Sequence, residues 1–242
     1  MRQVPATADD AVPERTTAGR WLNRALYAFA LVGWELVLLA VEPVVLGPSG
    51  DRGLGASVLH WLLTALGWAV GALLLARGVV HPGRRAGVPA EVAPVEPVAR
   101  PVPSGRDWLA MVALVVACIG LRWAGTGRLQ VVADHRAFTE DFGSAAVVAM
   151  AAQLLYYLAE VLVLALIVVF GQRAGDARSG RPGVPWGGVV LALTWGSVHV
   201  LLQGPAGGAF AVLTALALGG VFLLSGRRLR IWYPLAVLAF VV

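Results

Sequence analysis

Long apolar runs alternate with short polar or glycine- and proline-rich stretches along most of the chain. An α-helix needs roughly 20 apolar residues to cross a hydrocarbon core, where loops and open strands leave backbone groups unsatisfied. The pattern predicts helical spans over 24–46, 56–80, 107–123, 144–171, 186–203 and 206–225. The last apolar stretch, 231–242, reaches only ~18 Å as a helix, short of a core of roughly 30 Å. The expected fold class is therefore all-α, a polytopic transmembrane helical bundle of about seven membrane helices with the last one short.

The breaks between runs predict the organisation. Pro43 is expected to kink or end the first span. Residues 47–55 read as a tight turn, and 124–143 as a polar connection. Gly204 and Pro205 separate the fifth span from the sixth. The segment 81–106 carries six of the chain's 14 prolines and reads as an extended linker. This gives a disordered N-terminal tail over 1–20, an N-terminal transmembrane hairpin over 21–80, a Pro/Arg-rich cytoplasmic linker over 81–106, and a transmembrane core over 107–242. The tail lacks the pattern of a cleavable signal peptide, so the first run is expected to stay as a membrane helix.

Composition sharpens this picture. Hydrophobic residues make up 58% and charged residues 14%, against about 25% charged in soluble domains. The formal net charge is +5, and all 19 basic residues are arginines, mostly outside the apolar runs. Such spacing implies contact with membrane lipids and topology information, and it argues against nucleic acid as a partner. Arginines concentrate in 81–106, 172–185 and 226–230, which predicts an integral cell (inner) membrane protein with a cytoplasmic N-terminus. The single cysteine, Cys118, excludes an internal disulfide and reads as a packing residue.

Two ionisable residues lie deep inside apolar runs: Glu160 in the fourth span and His199 in the fifth. Such groups are costly in lipid, so they face a bundle interior and mark function. If the two spans form an antiparallel hairpin, both lie roughly 16–20 Å from the same face. They are then expected within direct or one-water reach of each other. Gln153 and Tyr156 share a face with Glu160, and Trp195 and Gln203 share one with His199. The two stripes should face each other, with Tyr156, Trp195 and Gln203 supporting the pair. Glu35 lies at a similar depth in the first span and either joins this site or is satisfied locally. Glu42 and His60 sit near helix ends, where interfacial solvation is expected. His135 and its acidic neighbours read as a solvated loop. The pair offers at most two strong ligands where a catalytic zinc takes about three, so no metal or other cofactor is expected.

The motifs of residues 144–242 resemble those of the CPBP family of intramembrane proteases (CAAX-protease and bacteriocin-processing enzymes, also called Abi proteins). Ala159-Glu160 stands where that family has a Glu-Glu pair, with Leu164 at its arginine position. Trp195-Gly-Ser-Val-His199 matches Phe-x-x-x-His with Trp for Phe. Gly219, Gly220, Gly226, Arg227, Trp232 and Pro234 resemble the approach to a third motif. Ala239 stands at that motif's histidine position, and the residues end before its asparagine position. The resemblance implies an intramembrane endopeptidase with Glu160 and His199 activating water against a membrane-anchored peptide or protein, its motif set thinned. Two other classes fit the same residues. One is a non-catalytic membrane scaffold or immunity-type protein. The other is a proton or solute transporter with Glu35, Glu160 and His199 as a relay.

Overall fold

A computed structural model describes residues 12–46, 53–80 and 102–242, and among these the chain is helical with no strand. The helices are α1 (Val12–Ala30), α2 (Gly33–Leu46), α3 (Leu54–Val80), α4 (Gly105–Thr126), α5 (Gln130–Phe142), α6 (Ala146–Ser179), α7 (Trp186–Leu191), α8 (Ser197–Leu224) and α9 (Leu229–Val241). Among the described residues, five segments are long and apolar enough to cross a membrane: Thr17–Val45, Leu54–Gly78, Gly105–Thr126, Gln130–Ser179 and Trp186–Leu224.

Helix α6 is the axis of the molecule. From Ala159 to Ala174 nearly every residue is buried, as expected of a helix that is apolar all round and enclosed by neighbours. Helices α1, α3, α7 and α9 surround it. Ala25, Ala28, Trp68 and Ala72 share one apolar core with Val161, Leu164, Val168 and Trp232. The linker thus separates the N-terminal hairpin from the rest in sequence but not in packing.

Several predicted boundaries move. Residues 12–20, expected as part of a disordered tail, belong to α1, while 1–11 lie outside the described residues. Most of the expected turn 47–55 and linker 81–106 also lies outside them. At the linker's end, Ser104 accepts from Asp107 N, and the Asp107 carboxylate accepts from Ser104 N at 2.8 Å. That reciprocal cap starts α4 at Gly105, two residues before its expected start. The first span breaks at Leu31–Val32 rather than at Pro43, which α2 accommodates in its last turns. The Leu31 carbonyl at this break accepts from the Trp68 indole at 2.8 Å.

The polar connection 124–143 is largely helix α5, folded back on α6 at Gly143 (φ 57°), with Phe138 packed among Trp61, Ala146 and Ala149. Similarly, the loop expected over 172–185 is shorter, because α6 runs on to Ser179 and ends at the left-handed Gly180.

Trp186–Leu224 is a hairpin. Gly204 (φ 74°, ψ −177°) reverses the chain before Pro205. Across it, a Cβ on Gly219 would lie 2.5 Å from Gly188 Cα, and one on Gly208 would lie 2.2 Å from Val200 Cγ2. Only glycine permits such close packing. The first arm is antiparallel to α6: Gly171 packs against Val190, and Gly175 against Trp186. This arrangement brings the depths of Glu160 and His199 together.

Candidate functional site

The two predicted stripes meet. Gln153, Tyr156 and Glu160 from α6 and Trp195, His199 and Gln203 from the facing arm line one cavity of about 620 Å³. That size falls within the range of small-molecule sites, about 300–1,000 Å³.

A local irregularity presents Trp195. Residues Ala192–Gly196 form a π-helical turn between α7 and α8. A widened turn shifts the register of the side chains that follow it, and such turns recur at functional sites. Thr194 Oγ1 bonds back to the Val190 carbonyl at 2.7 Å, and Ser197 Oγ to the Ala192 carbonyl at 3.4 Å. These hydroxyls satisfy backbone acceptors that lipid cannot.

Trp195 stands between the two candidate residues. Its indole Nε1 donates to Glu160 Oε1 at 2.9 Å, and its ring lies 4.2 Å from the His199 ring. Glu160 is 7% exposed, and among the described residues its Oε2 receives no hydrogen bond. His199 is half-buried, and its Nδ1 donates to the Trp195 carbonyl at 2.9 Å. The tautomer this fixes leaves Nε2 as the ring nitrogen open to chemistry. No hydrogen bond joins Glu160 to His199 among the described residues. They share a cavity and a common neighbour, Trp195, which contacts both.

Glu35 joins the site. The Tyr156 hydroxyl donates to Glu35 Oε1 at 2.7 Å, and both residues line the cavity. His60 Nε2 lies 4.0 Å from the same oxygen, while His60 Nδ1 donates to Glu42 at 2.8 Å. The expectation of interfacial solvation for Glu42 and His60 is corrected here, since they are 5% and 8% exposed. An imidazole and a carboxylate on facing helices satisfy each other, which makes their joint burial tolerable. His135 is exposed on α5, and its neighbour Asp134 bonds to Tyr157 at 3.0 Å.

Three polar residues were not singled out from sequence. Arg122, at the end of α4, donates to Gln130 Oε1 and lies 5.3 Å from the Phe210 ring. Gln130 Nε2 donates in turn to Asp134 at 2.6 Å, and the Tyr157 hydroxyl accepts from Gln153 at 2.8 Å. Arg122, Gln130 and Tyr157 line the cavity. The available signal for Arg122 is a charge inside the last turns of an apolar span. The others become visible only once α5 is seen to fold back.

Where the resemblance would place further chemistry, the structure has core residues. Ala159, Leu164 and Ala239 are buried among apolar neighbours. Helix α9 delivers Phe240 instead, 5.5 Å from the Tyr157 ring and 5.8 Å from that of Trp195. Among the described residues, no group of three or more His, Cys, Asp or Glu side chains is placed to hold a metal ion. Compared with family models, curated proteins and solved structures, the chain matches none.

Proposed function

We propose that the chain is a cell-membrane protein of CPBP-like architecture, with about seven membrane helices, that hydrolyses a membrane-anchored peptide or protein in its central cavity. The observation that carries this reading is the shared lining: Glu160, with one carboxylate oxygen open, and His199, with Nε2 open, border the same cavity. A water held between them donates one proton toward His199 Nε2 and the other toward Glu160 Oε2. Glu160 takes the proton as the water oxygen attacks the scissile carbonyl carbon. The C–N bond then breaks, and the proton passes to the leaving amine. The reaction uses no metal and no cofactor.

The test is cleavage of membrane-anchored peptides by the full-length protein in proteoliposomes, with new termini read by mass spectrometry. Glu160→Gln and His199→Ala are each expected to abolish cleavage, with the double variant little worse, because the two act as a unit. Cleavage that persists in both folded single variants ends this reading.

A second reading, proton or solute handling, is favoured by the row of Glu42 and His60, both buried, and Glu35 and Tyr156, both half-buried, that leads to the cavity. Proton uptake into vesicles that is lost in Glu35→Gln and unaffected by peptide substrates would select it.

A further inference from the structure

The wall of the cavity carries a second message. Besides its acids it presents six aromatic rings, those of Trp61, Tyr156, Tyr157, Trp195, Phe210 and Phe240. Several are held edge-on or tilted to one another: Tyr156 to Tyr157 at 5.7 Å, Tyr157 to Phe240 at 5.5 Å and Trp195 to Phe240 at 5.8 Å. Rings locked this way form a rigid apolar cup whose faces carry partial negative charge. Two carboxylates, Glu35 and Glu160, open into the same cup, each using one oxygen for an internal bond. The Glu160 side chain is more than nine-tenths buried, and its second oxygen has no partner among the described residues.

The cation in the wall stands apart from them. Arg122 comes from α4 and is occupied by Gln130 and by the Phe210 ring. Gln130 links it to Asp134, so a local anion offsets its charge. No arginine is hydrogen-bonded to Glu35 or Glu160 among the described residues. His60 lies 4.0 Å from the Glu35 oxygen that accepts from Tyr156, while Glu160 has no basic side chain bonded to it among the described residues. Aromatic faces beside a carboxylate without a bonded cation select a cation that brings its own apolar surface. A small hydrated ion would leave the rings unused. An anion would meet two carboxylates in a half-buried cavity.

The geometry points to this cavity as a binding site for an amphiphilic organic monocation, such as a quaternary onium ion or protonated lipophilic amine, held by Glu160 and Glu35 against the aromatic wall. The inference rests on the cavity alone and holds whether or not the protein cleaves peptides.

The test uses purified full-length protein in dodecylmaltoside and equilibrium dialysis against tetraphenylphosphonium. Tetraphenylborate, of nearly the same size and shape with opposite charge, is the control. Saturable binding of the cation at one site per chain is expected, with the anion at the level of empty micelles. Glu160→Gln, which keeps the acceptor for Trp195, should weaken cation binding by about tenfold, the equivalent of one lost charge contact. Equal retention of both ions, or wild-type affinity in Glu160→Gln and Glu35→Gln proteins that elute as folded monodisperse species, overturns the proposal. The comparison of the two ions on the unaltered protein needs no variant to fold.

Discussion

The Trp195 indole donates to Glu160 Oε1 across 2.9 Å, from a π-helical turn on one helix to the buried face of another. A carboxylate in an apolar interior depends on such a donor, and the donor depends on the turn that aims it. The bond predicts an asymmetry. Trp195→Phe keeps most of the ring but strips the donor, and should cost about 1–3 kcal/mol as an unsatisfied buried acceptor. Glu160→Gln keeps an acceptor oxygen and should cost less. Thermal unfolding in detergent checks the order; a larger loss in Glu160→Gln would mean that the indole is not the support.

How much of this site was legible follows from which contacts run along one helix and which run between helices. Gln153, Tyr156 and Glu160 fall on one face by spacing alone, as do Trp195, His199 and Gln203, and all six line the cavity. The role of Trp195 as the bridge was not legible, because the π-helical turn that sets its position has no composition signal. The polar stretch 124–143 read as a connection because charged residues are interspersed among its apolar ones. Yet Phe138, packed against Trp61, and the bonds of Gln130 and Asp134 to Tyr157 fasten it as a helix. Glu42 and His60 looked interfacial because each is near a helix end, and their burial depends on a partner that sequence distance hides.

That hidden pair gives the second prediction. Glu42 and His60 are bonded at 2.8 Å with both side chains buried. Removing either residue breaks this buried pair, so Glu42→Ala and His60→Ala should each destabilise by about 3–5 kcal/mol. Replacing both with leucine removes the two buried polar groups together and should be less damaging than either single change. A double-mutant cycle of unfolding free energies measures this; additive losses would show that the two residues are not coupled.

Close helix packing gives a pair of opposite signs. A methyl group added at Gly219 meets the backbone of Gly188 at 2.5 Å, which no rotamer change relieves. Gly219→Ala should cost about 1–3 kcal/mol or more by overpacking the hairpin. At Gly120, on an exposed face of α4, nothing lies within 4 Å. Gly120→Ala should be neutral or stabilising by up to about 1 kcal/mol, from helix propensity alone. A tolerated Gly219→Ala would mean that the two arms of the hairpin stand further apart.

The last prediction concerns which ends of the helices share a side of the membrane. Arg227, in the left-handed turn between α8 and α9 (φ 63°), pairs with Asp176 on α6 and donates to the Pro182 carbonyl at 2.8 Å. Loop 180–185 and turn 225–228 are therefore tied at one end of the bundle. Arg122 lies over Phe210, just past the Gly204 reversal, which puts the α4–α5 turn at the other end. Arg173, Arg178, Arg181, Arg227, Arg228 and Arg230 gather at the first end, and the positive-inside rule predicts that this end is cytoplasmic. Single cysteines at Arg181, Arg230 and Arg128, in a Cys118→Ala background, separate the cases with an impermeant maleimide on intact cells. Positions 181 and 230 should react only after permeabilisation, and position 128 without it. Reaction of 181 and 230 from opposite sides would contradict the Arg227 tie. A uniform reversal would keep the fold and invert its orientation.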